Sequence, residues 1–304
     1  MKRVLAAIVF AAIAFVVPDS AVASQLRVFA CEPEWAALTE ELGGAAVKAY
    51  AATHARQDPH YLRAKPSLLA AMRRSDLVIC SGAGLEVGWL PVLLQRAGSR
   101  SVQPGAVGHV MASAYVPVLE VPEIVDRAQG DIHPEGNPHV HLNPHNIQLV
   151  ANELTSRLQT LDAGNTDHYK ARLADFSRRW QAAIADWEAR AQPLEGMRIV
   201  THHKSWTYLV DWLRLDLAGT LERKPGIPPT VGHLEALLQD VRGADVRAII
   251  RTPYAPDDAS NWLSGKTGIA AIALPYTIGG EPDVTDLFTL FEHHLQRLLD
   301  VAGA

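Results

Sequence analysis

Short apolar segments alternate with helix-length amphipathic stretches along most of this chain, and no other feature narrows the fold as far. Strands are predicted at 27–30, 46–51, 77–80, 198–201, 216–220, 248–251 and 271–275. Alternation of this kind implies parallel sheets covered by helices, the α/β class. One helix stands out, over 165–191: Tyr169, Leu173, Phe176, Trp180, Ile184 and Trp187 recur at steps of three and four, while Lys170, Arg172, Asp175, Arg178 and Arg179 fall largely elsewhere. It is long for a globular helix, so it is expected to bridge two halves, each with its own sheet and its own core. The expected organisation is a lobe over 24–163, a linking helix over 164–191 and a second lobe over 192–304.

The first residues predict export. Lys2 and Arg3 precede an apolar run from Val4 to Val17, and Ala21-Val22-Ala23 stands before Ser24, which is the order of a secretory signal peptide over 1–23. Val28-Phe29-Ala30-Cys31 loosely resembles a lipoprotein cleavage site, but it lies well past the apolar run and inside the first strand. A soluble exported protein is expected. With 28 basic and 33 acidic residues the net charge is −5, which argues against a nucleic-acid partner. The two cysteines, Cys31 and Cys80, each close a short apolar run. If those strands are parallel neighbours, the sulfurs lie at one sheet edge, and in an oxidising compartment a disulfide is expected over two free thiols.

Against two cysteines stand thirteen histidines, and several follow strands, where α/β proteins build their sites. His60 lies in Asp58-Pro59-His60-Tyr61, His139 in Asn137-Pro138-His139-Val140-His141, and His202-His203 follow the strand at 198–201. Imidazole suits zinc, copper, nickel and iron, and three loops from two halves offer it together. Other signals are weaker. Ser264-Gly265-Lys266-Thr267 lacks the first glycine of a phosphate-binding loop, and neither a zincin motif nor a hydrolase nucleophile elbow is present. Glu292-His293-His294 reads as the solvated face of a terminal helix.

These segments carry a family resemblance. Asp58-Pro59-His60-Tyr61 with Pro66-Ser67, Ser75-Asp76-Leu77-Val78-Ile79, Gly84-Leu85-Glu86, Asn137-Pro138-His139-Val140-His141-Leu142-Asn143-Pro144 and Thr201-His202-His203-Lys204-Ser205-Trp206-Thr207-Tyr208 together resemble the periplasmic metal-binding proteins of zinc and manganese ABC importers. The resemblance implies two α/β lobes joined by a rigid long helix, with one divalent ion between them. By position it implies His60, His139 and His203 as ligands, with His203 preferred to His202 because the matching histidine stands five residues before the tyrosine at 208. Histidine at the third position goes with zinc, a carboxylate there with manganese. The family's usual fourth ligand, an Asp after a late strand, has no counterpart in 271–277. Glu281, Asp283, Glu222 or a water is expected instead, with Glu281 the named candidate. His133, His141 and His145 are expected to be solvated loop residues, with passing metal inward the lesser reading.

The function implied is capture of Zn2+, with Mn2+ the lesser candidate, and its delivery to an ABC importer permease in the inner membrane. A monomer is expected, and a periplasmic metallochaperone is a further candidate partner. The alternatives are a secreted zinc-dependent hydrolase using the three histidines and a metal-bound water, and a binder of the same fold for manganese or a chelated metal.

Overall fold

The computed structural model describes residues 25–124, 130 and 133–303. The leader expected over 1–23 therefore lies outside the described residues, as do Asp131 and Ile132.

In the first half the elements run β1 (Leu26–Ala30), α1 (Pro33–Gly43), β2 (Val47–Ala51), α2 (Pro66–Arg73), β3 (Leu77–Cys80), α3 (Leu90–Ala97) and β4 (His109–Met111). Two helices follow, α4 (Pro144–Leu161) and α5 (Thr166–Arg190). The second half runs β5 (Arg198–Thr201), α6 (Thr207–Trp212), β6 (Asp216–Thr220), α7 (Val231–Val241), β7 (Val246–Arg251), α8 (Asp258–Thr267), β8 (Ala270–Ala273) and α9 (Leu287–Ala302). The α/β class stands, and seven of the eight strands among the described residues fall where periodicity predicts them. β4 escapes prediction because it has three residues, of which only Val110 is buried.

Both sheets are wholly parallel and share one order, β2-β1-β3-β4 and β6-β5-β7-β8. In each, the chain reverses its direction of travel across the sheet between the two central strands. Loops that leave the carboxyl ends of those strands open a crevice there. Helices cover the sheets, so Leu77-Val78-Ile79-Cys80 is buried along its whole length rather than on alternate residues. Cys31 follows β1 and Cys80 ends β3, and their sulfurs form the expected disulfide, with Cα atoms 4.8 Å apart.

The cores differ from expectation. In place of two separate cores, one continuous cluster runs from Val28, Ile79 and Val110 of the first sheet through α4 and α5 to Ile199, Ile250 and Phe291 of the second half. Helix α5 is the seam. Tyr169, Phe176, Trp180, Ile184 and Trp187 form its buried face, with Leu173 only partly covered. Trp180 stacks on Phe176 at 5.3 Å, meets Phe288 and Phe291 edge-on at 4.8 and 5.5 Å, and donates its indole N–H to the carbonyl of Pro144 at 2.8 Å. Smaller clusters lie on the outer face of each sheet. A core shared across the seam fixes the angle between the halves, because sliding them would open voids that close packing does not tolerate. His294, expected on a solvated helix face, is buried in α9 and stands 2.6 Å from the carbonyl oxygen of Pro275. It sits on the helix face that the shared core covers.

Candidate metal centre

His60 is held in a single 3₁₀ turn, Pro59–Tyr61, just beyond β2. Proline at the first helical position and an aspartate cap favour such a turn. Asp58 Oδ1 accepts the backbone N–H of His60 at 3.0 Å and stands 2.7 Å from Nδ1 of the same histidine. The Trp89 indole N–H donates to the Pro59 carbonyl at 2.9 Å and pins the turn to the first half.

The Asn-Pro-His loop is anchored from both halves. Asn137 Oδ1 accepts from the His139 backbone N–H at 3.0 Å, while Asn137 Nδ2 donates to the carbonyl of Lys204 at 2.9 Å. The Tyr208 hydroxyl donates to the Asn137 carbonyl at 2.9 Å and accepts from the Leu119 N–H at 3.0 Å. His139 Nδ1 then lies 2.6 Å from the hydroxyl of Tyr276, in the segment after β8.

His203 follows β5 at its carboxyl end. Its Nδ1 stands 2.7 Å from Glu222 Oε2, an oxygen that also accepts the Gly226 N–H at 2.9 Å. His202 meets the other oxygen of the same carboxylate at 3.5 Å.

The structure brings His60, His139 and His203 together. Their ring centroids are 5.6, 5.8 and 5.8 Å apart, and one nitrogen of each ring lies within 4.8 Å of those of the other two. Because each Nδ1 has a partner outside the triangle, the inward nitrogens are the Nε2 atoms. Nε2 of His139 is buried and has no hydrogen-bond partner, a costly arrangement unless a ligand meets it.

Electrostatics keep this constellation ready for a cation. Burial, followed by the neighbouring imidazoles, holds His139 well below its ordinary pKa, so its ring is neutral. Burial pushes the Tyr276 phenol well above its usual range, so it keeps its proton. At Glu222 burial works upward, yet hydrogen bonds from His202 and His203 prevail and bring it to about 2. At Asp58 burial again works upward, and the hydrogen bond and charge of His60 prevail. Carboxylates at the outer nitrogens of His60 and His203 form the usual supporting arrangement of a metal site.

The expected fourth ligands go elsewhere. Glu281 is drawn toward Arg297 of α9 at 4.0 Å and Asp283 toward His293 at 3.6 Å, so neither carboxylate joins the triangle. Glu222 backs His203 from outside. The three loop histidines expected in solvent also divide. His145 is exposed and meets Glu188 at 2.8 Å. His141 is fully buried between the halves, 3.3 Å from Glu34 Oε1 and 3.0 Å from the carbonyl of Tyr276. His133 lines the same cavity as His139 and His203, of about 470 Å³, and its Nε2 lies 3.2 Å from Nε2 of His60. Sequence reasoning missed Tyr276 altogether. A second grouping, Cys31, Cys80 and Glu86, has its sulfurs committed to the disulfide.

Comparison with known proteins identifies the family. The family model described as zinc-uptake complex component A, periplasmic, matches residues 28–301. A metal ABC transporter substrate-binding lipoprotein, ScbA of Streptococcus cristatus, is 22% identical over 91% of this chain and 89% of its own. A manganese ABC transporter substrate-binding lipoprotein, PsaA of Streptococcus anginosus, is 22% identical over 85% of this chain and 82% of its own. The crystal structure of ZnuA superposes with a TM-score of 0.76 at 20% identity, covering 92% of this chain and all of that one. A manganese-bound periplasmic metal-binding protein from Candidatus Liberibacter asiaticus gives 0.73 at 15% identity, covering 91% and 100%. The chain belongs to the family of substrate-binding proteins of zinc and manganese ABC importers and is not an enzyme.

Proposed function

We propose that this exported protein captures Zn2+ in the periplasm between the halves 24–163 and 192–304, acting as a monomer, and delivers it to an inner-membrane permease and its ATPase. His60, His139 and His203 coordinate the ion through Nε2. The observation that carries the reading is the buried, unpartnered Nε2 of His139 at the centre of a triangle whose other nitrogens also face inward. An all-imidazole donor set supports zinc, since manganese favours carboxylate and water oxygen. The carboxylates nearby, Asp58 and Glu222, bond the outer nitrogens of the histidines. Relatives named for manganese make the opposite preference the main competitor. The shared core restricts large lobe movement, so uptake and release work through the loops that carry the histidines.

The test is titration of metal-stripped protein with Zn2+ and with Mn2+ against a competing chelator. One zinc per chain, bound more tightly than manganese and lost in His139→Ala, is the expected result. Tighter manganese binding reassigns the cargo, and undiminished zinc binding by His139→Ala removes the site.

A further inference from the structure

We propose that His133 is the fourth ligand, so that the captured ion is held by four imidazole nitrogens; this inference rests on the three-histidine reading above. The Asp58 carboxylate occupies the outer nitrogen of His60, Nδ1, at 2.7 Å, which leaves Nε2 of His60 facing inward. Nε2 of His133 stands 3.2 Å from Nε2 of His60. Two ring nitrogens approach so closely either because one donates a proton to the other or because both face one cation. In a tetrahedral zinc site with Zn–N near 2.0–2.1 Å, adjacent donors stand about 3.4 Å apart. The pair is thus spaced for a shared proton in the empty site and for a shared ion in the loaded one.

The surroundings agree. The His133 ring lies 5.3 Å from that of His60 and 6.4 Å from that of His139, on the wall of the cavity that His139 and His203 also line. Gly84, whose φ of +83° suits glycine, lies against this ring: a Cβ built there would stand 3.4 Å from His133 Nδ1, at ordinary contact distance. His60, His139 and His203 arrive from turns tied down by hydrogen bonds. His133 stands four residues before Asn137 and lines the same cavity as His139 and His203.

The experiment compares His133→Gln with the unaltered full-length mature chain and with His139→Ala. In His133→Gln, zinc affinity measured against a chromophoric chelator falls about tenfold or more. The visible absorption of the Co2+-loaded form moves away from a four-coordinate spectrum, while the circular dichroism of the metal-free protein is unchanged. Unaltered zinc affinity and an unaltered cobalt spectrum in His133→Gln, alongside zinc loss in His139→Ala, overturn this proposal and leave the three-histidine site standing. Zinc retention by His139→Ala overturns both.

Discussion

The hydroxyl of Tyr276 lies 2.6 Å from Nδ1 of His139, so the most buried of the three histidines is backed by a neutral phenol, whereas its neighbours are backed by carboxylates. Tyr276 is fixed edge-on against His141, Trp206 and Tyr254 at 4.8, 6.3 and 5.7 Å. Tyr276→Phe keeps that packing and removes one oxygen. Partners of this kind are worth about 10- to 100-fold in metal affinity. Zinc binding is expected to fall by that much with the melting temperature of the metal-free protein little changed, measured by chelator competition and thermal denaturation. A variant with full affinity would mean that the packing alone orients His139.

Glu222 holds His203 by its outer nitrogen, and hydrogen bonds from His202 and His203 bring its pKa down to about 2, so it is ionised near neutral pH. Acid release of zinc therefore belongs to protonation of the imidazoles, which bind metal only when neutral. A carboxylate partner makes an imidazole more basic toward protons and toward zinc alike. Glu222→Gln is expected to weaken zinc binding at pH 7.5 by about tenfold, and to move the acid limb of the affinity profile toward lower pH. Zinc titrations across the pH range check both, and an acid limb shifted upward contradicts the assignment.

Much of the fold is legible in the chain because strands buried on both faces are short continuous apolar runs and the long helix has a regular buried stripe. The shared core is not, since which of two sheets Phe291 or Trp180 packs against depends on crossing angles that periodicity does not encode. At the centre, Asp58 is marked by its place two residues before His60, an Asx-Pro-His turn readable locally. Tyr276 and Glu222 reach their histidines from 137 and 19 residues away and carry no local mark. His133, His141 and His145 look alike in sequence, all in or beside one proline-rich loop. The fold sends the first to the cavity wall, the second into the seam and the third to solvent.

The disulfide between Cys31 and Cys80 joins the two central strands of the first sheet at their carboxyl ends and links positions 49 apart in sequence. It touches none of the three histidines. Replacing both cysteines by alanine is expected to cost about 2–4 kcal/mol of stability and to leave one zinc per chain, measured by urea denaturation and metal analysis. Loss of zinc from a folded double variant would show that the β1–β3 edge controls the site.

Beside that disulfide, Glu32 and Glu86 are buried together around Ser81. Ser81 gives its backbone N–H to Glu86 Oε1 at 2.8 Å and its hydroxyl to Glu32 Oε2 at 3.2 Å. Burial, then repulsion from Glu86 and Glu34, pushes Glu32 well above its ordinary pKa. Burial also raises Glu86, which backbone hydrogen bonds hold to about 7. A carboxyl whose folded pKa exceeds its unfolded value binds more protons when folded, so stability falls as pH rises from about 4.5 toward 7 and beyond. At about 1.4 kcal/mol per unit the Glu86 contribution is at most on the order of 3 kcal/mol. His294, lowered to about 4 by burial, opposes this by destabilising the fold as pH drops below 6.5. The pair's effect is therefore isolated by difference. Glu32→Gln mimics the protonated acid at every pH and can donate to Glu86. Urea denaturation of the metal-free proteins at pH 5 and pH 8 should show the variant gaining on the unaltered chain at pH 8. Equal differences at the two pH values would mean that the carboxyls are not sharing a proton.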